Sequence, residues 1–356
     1  MDTSTLQPEK LDAFVGQFVS DFGAALFAPL VVIGDKLGLY KALASGAHTA
    51  TDIAATTGIR ERSVAEWLRA QAAAGYVTYE PATDQYALSP EQEFTLADES
   101  SPAFLPGAFQ IALSVARDID RISDALRGGT GLGWDEHDPL LYEGTERFFR
   151  PGYAANLVSS WLPALDGVVD KLTAGARVAD VGCGHGASTI LLAQAFPASQ
   201  FFGFDFHEGS IDQARKRAAE AGVADRVTFQ VAGAADYPGG NYDLVTLFDC
   251  FHDMGRPVEA ARHIAATLSQ AGTILLVEPQ AGHTVAENLN PIGRIFYSAS
   301  TTLCTLNALR YGDGDEPVLG AQASEAELAA ALAAGGLTKL RLATSTPFNR
   351  VYEVRP

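Results

Sequence analysis

The stretch VADVGCGHG, residues 178–186, decides the fold of this chain. It ends an apolar run and directly precedes a helical pattern that begins near Ala187. Gly182, Gly184 and Gly186 permit a tight turn and allow a ligand to approach the backbone at the N-terminus of that helix. A strand, a glycine-rich turn and a helix in this order predict the first unit of an α/β nucleotide-binding sheet.

Strand and helix patterns alternate along the second half of the chain. Strand patterns cover 176–182, 200–205, 226–232, 242–249, 272–279, 337–344 and 348–354, and helical patterns begin near Ala187, Ser210, Pro257 and Ser324. This alternation predicts an α/β fold with a Rossmann-like, doubly wound sheet of seven strands. The last two strand patterns are separated only by 345–347. Because parallel neighbours need a long crossover, this pair is predicted to be antiparallel.

The first hundred residues have a different pattern, in which helical segments are followed by a short hairpin. Apolar helices, interrupted by Gly34 and Gly38, are expected up to residue 44. We therefore predict a mainly α winged-helix and dimerisation domain over 1–100. A helical connector that covers the active site is predicted over 101–165, and the Rossmann-like domain over 166–356. A chain of 356 residues is long enough for this division.

The charge of the chain excludes some classes of partner. It has 43 acidic and 25 basic residues, a net charge of −18, which disfavours a phosphate backbone and an anionic membrane surface. The winged-helix region is itself acidic, whereas a helix that enters a DNA groove presents a basic face. We therefore expect a homodimer formed through this domain, with no nucleic-acid and no membrane partner.

The sequence also bears on compartment and metal content. The first residues lack the pattern of a secretory signal, and the apolar stretches 22–33 and 104–116 are shorter than a membrane span. Cys183, Cys250 and Cys304 form no CxxC pair, which is typical of free thiols in the cytoplasm. The seven histidines show no metal-binding spacing, so no metal is predicted.

Two carboxylates narrow the choice of nucleotide. Asp180 lies beside the glycine turn, where it would repel a pyrophosphate but favour S-adenosylmethionine, which carries an ammonium and a sulfonium and no phosphate. Asp205 ends the next strand, where an acid can accept hydrogen bonds from ribose hydroxyls. NAD sites use the same ribose contact, so an NAD(P)-dependent oxidoreductase remains the alternative. An N-cap in the following turn is the alternative role of Asp205.

The loops that follow the third and fourth strands contain further candidate contacts with the cofactor. Ala234, Ala235 and Asp236 follow the third strand of the sheet, where a loop could cover the adenine ring. Asp249 follows the fourth strand and could contact the methionyl part of the cofactor, or else be a buried structural carboxylate. These four residues are added to Asp180, Gly182, Gly184, Gly186 and Asp205 as candidate cofactor contacts.

These motifs, with the antiparallel last pair, resemble the class I S-adenosylmethionine-dependent methyltransferases. The winged-helix half and the stretch Phe251-His-Asp-Met254 further resemble the small-molecule O-methyltransferases, and 146–153, 248–255 and 288–294 resemble a bacterial group of mostly unassigned substrate. In the O-methyltransferases the histidine of this stretch is the general base, which implies that role for His252. Glu278 and Glu287 are candidates for the acid that orients it. Met254 departs from the tryptophan usual in that family.

His252 also lies just past the fourth strand, at the sheet edge where ligands bind in open α/β folds. An in-line methyl transfer needs a base only when an acceptor such as a phenol must lose a proton. The alternative is that His252 only stabilises its loop. The substrate would be a small metabolite methylated on O, N or C.

Six residues are candidate contacts for this metabolite. Two are aromatic residues of the connector and four belong to the long insert 280–320: Phe149, Tyr153, Asn288, Asn290, Arg294 and Tyr297. Long loops in compact domains are commonly functional. The asparagines could instead form turns around Pro291, and the arginine could be a surface ion pair. A winged-helix transcription regulator with a ligand-sensing second domain is the alternative from a different functional class.

Overall fold

A computed structural model describes residues 5–356. Expectations that concern 1–4, at the start of the predicted N-terminal domain, lie outside the described residues. The chain divides into two compact units, one comprising Met1–Leu113 and Glu143–Pro151, the other Ser114–Tyr142 and Gly152–Pro356. The segment 101–165, expected to be one connector, is thus shared between the two units.

The first unit has the helices and hairpin of a winged-helix domain. Its elements are α1 (Pro8–Lys36), α2 (Leu39–Leu43), α3 (Ala50–Thr57), α4 (Glu61–Ala73), β1 (Thr78–Glu80), β2 (Gln85–Ala87) and α5 (Pro90–Leu96). Helix α6 (Pro106–Arg117) begins in this unit, and α8 (Leu140–Asn156) contributes its middle part. One face of α4 is buried, with Val64 and Leu68 almost completely inaccessible.

Helix α1 is continuous at Gly34, where the sequence predicted an interruption. It passes through Gly34, whose missing side chain leaves room for the Trp67 ring of α4. Trp67 Nε1 donates a hydrogen bond to Leu30 O over 2.9 Å. Gly34 therefore serves close packing between helices, and the prediction that it breaks the helix is wrong.

Helix α1 has 29 residues and is long and apolar enough to cross a membrane, a property that some soluble core helices and signal sequences share. The stretch 22–33 is shorter than a span, but the helix that contains it is longer. Eight of its large apolar side chains are exposed: Leu11, Phe14, Val15, Phe18, Val19, Phe22, Leu26 and Ile33.

The second unit contains the sheet and most helices. Its strands are β3 (Arg177–Val181), β4 (Gln200–Asp205), β5 (Val227–Val231), β6 (Tyr242–Phe248), β7 (Leu268–Pro279), β8 (Lys339–Ser345) and β9 (Asn349–Arg355). Its helices are α7 (Ile119–Gly128), α9 (Val168–Ala174), α10 (Ala187–Ala195), α11 (Glu208–Glu220), α12 (Pro257–Thr267), α13 (Pro291–Ala299), α14 (Thr305–Tyr311) and α15 (Glu325–Ala334). Two π-helical turns, Leu157–Trp161 and Ser300–Cys304, interrupt regular helices.

The seven strands form one sheet in the order β5-β4-β3-β6-β7-β9-β8. The first five are parallel, and β9 is antiparallel to both β7 and β8. The predicted seven-strand sheet with an antiparallel last pair is confirmed. The strand order reverses between β3 and β6, and ligands of open α/β sheets bind beyond the carboxyl ends of the strands at such a point.

Candidate active site

The glycine turn after β3 has a backbone shape that only glycine adopts readily. Gly182, Gly184 and Gly186 have φ angles of 73°, 51° and 78°, all in the left-handed region. A Cβ atom on Gly182 would lie 2.8 Å from the sulfur of Cys250. The turn therefore touches the segment that follows β6, and the two carboxyl-end loops form one site.

Asp180 lies in β3, just before this turn. Its side chain is fully buried, and it accepts hydrogen bonds from the hydroxyls of Ser188 (2.7 Å), Thr189 (2.5 Å) and Thr246 (2.9 Å). Burial raises the pKa of this carboxyl, although the three hydroxyls act in the opposite direction. Asp180 joins β3, α10 and β6, and its predicted contact with a cofactor stays a prediction.

Asp205 connects the glycine turn to the loop after β4. Its two carboxylate oxygens accept hydrogen bonds from Gly184 N and His207 N, each over 2.9 Å. His207 caps α11 by accepting a hydrogen bond from Ser210 N. Both carboxylate oxygens of Asp205 therefore have backbone partners, and its contact with a ribose stays a prediction.

Tyr142, which the sequence analysis did not single out, covers this region. Its ring is stacked on His207 with centroids 4.3 Å apart and lies 6.2 Å from His185 of the glycine turn. Within the residues that the structure describes, its hydroxyl is buried without a hydrogen-bond partner. Burial and the nearby Asp205 carboxylate raise the pKa of this phenol. A buried hydroxyl without a partner is explained when a ligand supplies one.

The remaining candidate cofactor residues occupy the next two loops. Ala234 and Ala235 are half-buried, and the exposed Asp236 accepts a hydrogen bond from Gly233 N over 2.9 Å. Asp249 has a φ of 51° and binds Asn349 Nδ2 (2.7 Å) and the Tyr153 hydroxyl (3.2 Å). Burial, together with Glu278, raises the pKa of Asp249 to about 8.

His252 and Glu278 form a buried pair at the carboxyl ends of β6 and β7. His252 lies in a short 3-10 turn, and its Nδ1 is 2.7 Å from Glu278 Oε2. The other oxygen of Glu278 accepts a hydrogen bond from Phe251 N, which fixes the carboxylate. The two residues are only 4% and 1% exposed. Burial lowers the pKa of His252, but Glu278 and Cys304 outweigh it and hold this pKa well above its usual value.

This geometry distinguishes the two acids considered from the sequence. Glu278 orients the histidine, whereas Glu287 accepts a hydrogen bond from His283 N in an exposed turn. The sequence position of Glu278 could have identified it as the partner of His252, because it lies near the end of β7, the strand that neighbours β6. An acid at that place faces the residues just beyond β6.

A second polar group flanks His252. Trp134 Nε1 donates to Asp253 Oδ2 over 2.8 Å, and Asn307 Nδ2 donates to Asp253 O over 2.9 Å. Burial raises the pKa of Asp253 to about 7. The segment around Trp134 and helix α14 thus meet beside the histidine.

The insert contains both asparagines predicted to bind substrate, and the side chain of each accepts a hydrogen bond from a backbone amide. Asn290 caps α13 by accepting a hydrogen bond from Gly293 N over 2.9 Å, as the alternative role proposed. Asn288 is buried, accepts from Gly282 N over 2.6 Å and donates to the Tyr297 hydroxyl over 3.5 Å. Both hydrogen-bonding atoms of the Asn290 side chain have backbone partners, Gly293 N and Glu287 O, and its contact with a substrate stays a prediction.

The other predicted substrate residues are distributed over both units. Tyr153 packs against Phe248 and Trp161 with ring centroids 5.1 and 6.0 Å away. Tyr297 is half-buried and Arg294 is exposed on α13. Phe149 belongs to the first unit, where its ring meets that of Phe148 at 5.0 Å.

Two parts of the chain match the models of known families. Residues 172–316 match the model of a methyltransferase domain, and 25–97 match that of an Rv2258c-like winged HTH domain. The chain carries a methyltransferase domain. The predicted family resemblance is confirmed, and the match favours neither the oxidoreductase nor the transcription regulator.

Individual relatives agree with the methyltransferase domain. The chain is 30% identical over 169 residues to the 27-O-demethylrifamycin SV methyltransferase of Amycolatopsis mediterranei, covering 45% of this chain and 57% of that protein. It spans about half or less of the length of the curated relatives it matches. The name of the rifamycin relative agrees with the methyltransferase domain matched over 172–316.

Solved structures share the whole fold. A putative O-methyltransferase from Nostoc punctiforme has a TM-score of 0.72 and 20% identity, with 99% of this chain and 100% of that chain covered. Human N-acetylserotonin methyltransferase, solved in complex with SAM, has a TM-score of 0.69 and 17% identity, with 100% and 99% covered. At this level of identity the comparison confirms the fold of the methyltransferase domain and of the preceding winged-helix region.

Proposed function

We propose that this protein transfers the methyl group of S-adenosylmethionine to an oxygen atom of a small molecule. The observation that carries the proposal is the buried His252–Glu278 pair, placed at the carboxyl ends of β6 and β7. A histidine with an acid on one ring nitrogen can remove a proton with the other. An acceptor hydroxyl needs such a base because it must lose its proton, whereas the transfer of the methyl group itself needs no base.

The charge of the site suits this cofactor. Asp205 lies beside the glycine turn and Asp180 beneath it, which favours a cationic nucleoside over a diphosphate. The left-handed Gly184 has no atom within 4 Å of its ideal Cβ position, so the turn is open there. We propose that the buried Tyr142 hydroxyl, with Asp205, binds the nucleoside.

The residues of the chain perform three tasks in the proposed reaction. When bound, S-adenosylmethionine supplies an already activated methyl group. Asp205 and the glycine turn orient the nucleoside, while Tyr142 excludes water from it. The neutral form of His252, which the raised pKa makes more abundant at alkaline pH, accepts the hydroxyl proton at Nε2, because Nδ1 is held by Glu278. Glu278 stabilises the imidazolium that forms.

Calorimetry tests the cofactor half of the proposal. S-adenosylhomocysteine is expected to bind the purified chain, whereas NADH is not. Asp205→Ala is expected to weaken this binding by at least about tenfold, the loss of one hydrogen bond to a charged group. Binding of NADH in place of S-adenosylhomocysteine would reject the proposal in favour of an oxidoreductase.

Labelled cofactor tests the transfer itself. The chain is incubated with S-adenosylmethionine carrying a labelled methyl group and a metabolite extract, and mass spectrometry identifies the product. We expect the label on a small molecule, and its loss in His252→Ala while S-adenosylhomocysteine still binds. Full transfer by His252→Ala would show that alignment alone suffices.

We further propose that the protein is a cytoplasmic homodimer. The exposed apolar side chains of α1 support self-association, because a monomer surface rarely keeps so large an apolar patch. The three cysteines are free, as is usual in a reducing compartment. Fractionation of cells and sedimentation of the purified chain test the two statements separately.

A further inference from the structure

One buried arginine lies directly opposite the acid of the His252–Glu278 pair. Arg350 belongs to β9 and is only 5% exposed, and it pairs across the sheet with Glu278 of β7. Residues that lie directly opposite each other in antiparallel strands share one face of the sheet, with Cβ atoms roughly 5 Å apart. The side chains of Arg350 and Glu278 therefore start from neighbouring positions on the same face.

The guanidinium of Arg350 binds two backbone carbonyls. Its Nε donates to Pro279 O over 3.0 Å, and its Nη2 donates to Ala323 O over 2.7 Å. The ring of Tyr352, two residues further along β9, lies 5.7 Å from the guanidinium carbon. These contacts fix the position of the charge.

Both carbonyls belong to segments that support the catalytic pair. Pro279 directly follows Glu278 in β7. Ala323 N donates to Gly320 O over 3.0 Å, and Gly320 N donates to His252 O over 2.9 Å. The guanidinium thus joins the end of the strand that carries the acid to the turn that holds the histidine.

Arg350 has no carboxylate bonded to it. In the described chain, residues 5–356, its guanidinium donates to carbonyls and forms no ion pair. An arginine is almost never fully buried unless its charge is paired. Glu278 is the acid opposite it, and the two oxygens of that acid already bind His252 Nδ1 and Phe251 N. The charge of Arg350 therefore acts on Glu278 through space.

We propose that Arg350 is a positioning residue for His252, which joins the two backbone supports of the His252–Glu278 pair and places a positive charge opposite Glu278. This rests on the function proposed above. While His252 is neutral, Glu278 carries a buried negative charge that is costly unless a cation compensates it. The same cation disfavours a second positive charge on the histidine, so more of His252 stays in the form that can accept a proton.

The charge of Arg350 is opposite in sign to those of the other groups that act on His252. These groups are three acids and a thiol, and they lie in β7, in the π-helical turn Ser300–Cys304 and in the histidine's own segment: Glu278, Cys304, Asp249 and Asp253. Burial disfavours the imidazolium, whereas negative charge on these groups favours it. Removing the Arg350 charge should therefore raise the pKa of His252, whereas removing the Glu278 charge should lower it.

The test is a titration of the histidine rings by NMR on the full chain, labelled with ¹³C at histidine and free of ligand. The His252 signal is assigned by its loss in His252→Asn. Arg350→Gln removes the charge but keeps an amide donor, and it should raise the His252 midpoint by about half a pH unit or more. Arg350→Lys, which keeps the charge, should leave the midpoint close to that of the wild type, and Glu278→Gln should lower it.

Arg355→Gln is the matched control. Arg355 lies at the other end of β9, roughly 17 Å away along an extended strand. Its guanidinium binds Glu353 and the carbonyl of Asp166, so the His252 midpoint should not change. Should Arg350→Gln fail to fold, Arg350→Met replaces it, because an unbranched apolar side chain fills the space without leaving a polar group unsatisfied.

Three results would overturn the inference. If Glu278→Gln lowers the midpoint but Arg350→Gln leaves it unchanged or lowers it too, the arginine has no electrostatic role and the base pair stands. If Arg350→Lys raises the midpoint as much as Arg350→Gln does, the charge is not the cause. If Glu278→Gln does not lower the midpoint, the pair itself fails, and the proposed function loses its main support together with this inference.

Discussion

At the scale of single residues, the site depends on which carboxylate touches His252. Glu278→Gln removes the charge that stabilises the imidazolium, so we expect methyl transfer to fall by about 100-fold or more while S-adenosylhomocysteine binds as before. The measurement is the initial rate of label transfer. Glu287→Gln, which changes an exposed acid of the insert, is the control and should keep the wild-type rate. Equal losses in both variants would contradict the role of Glu278.

Asp249 gives a prediction about stability and pH. Its pKa is raised to about 8 by burial, so the folded state favours the protonated form. Above the unfolded pKa of roughly 4, the unfolded chain releases this proton while the folded chain keeps it, and folding loses stability as pH rises towards 8. Asp249→Asn should therefore raise the melting temperature more at pH 8 than at pH 5. A smaller gain at pH 8 would be inconsistent with this pKa.

At the scale of elements, two glycines of the glycine turn are required for different reasons. Gly182→Ala adds a Cβ only 2.8 Å from Cys250 Sγ at a left-handed φ, whereas Gly184→Ala meets no atom within 4 Å. Both carry the strain of φ, roughly 1–2 kcal/mol, and only the first adds a clash. Thermal unfolding without ligand should show the larger loss for Gly182→Ala. Equal losses would mean that strain alone matters.

The elements were predictable to different degrees. The strands around the glycine turn followed from apolar runs, and the capping box at Ser324 begins α15 as its sequence indicates. The helix break predicted at Gly34 was wrong because the sequence around this glycine cannot reveal that the Trp67 ring, 33 residues later, packs against it. For Asn290 the sequence left two roles open, since an N-cap and a substrate contact use the same amide oxygen. Tyr142 escaped notice because only tertiary packing places it on His207.

At the scale of the whole molecule, the exposed apolar face of α1 allows a test of the proposed dimer. Phe18 and Phe22 are stacked with centroids 5.8 Å apart and are both more than half exposed. Replacing both by serine should convert a dimer into monomers in sedimentation. Phe94→Ser, at an exposed position on α5, is the control and should leave the dimer intact. A wild-type chain that sediments as a monomer would refute the dimer.

The position of β9 in the sheet determines when the sheet can be completed during synthesis. This strand lies between β7 and β8, and its first residue, Asn349, binds Asp249 one hundred positions earlier in the chain. During synthesis, β8 therefore has no partner in the sheet until residues 349–355 have emerged from the ribosome. Until then β7 exposes an unpaired edge, the kind of surface on which nascent chains aggregate or recruit chaperones.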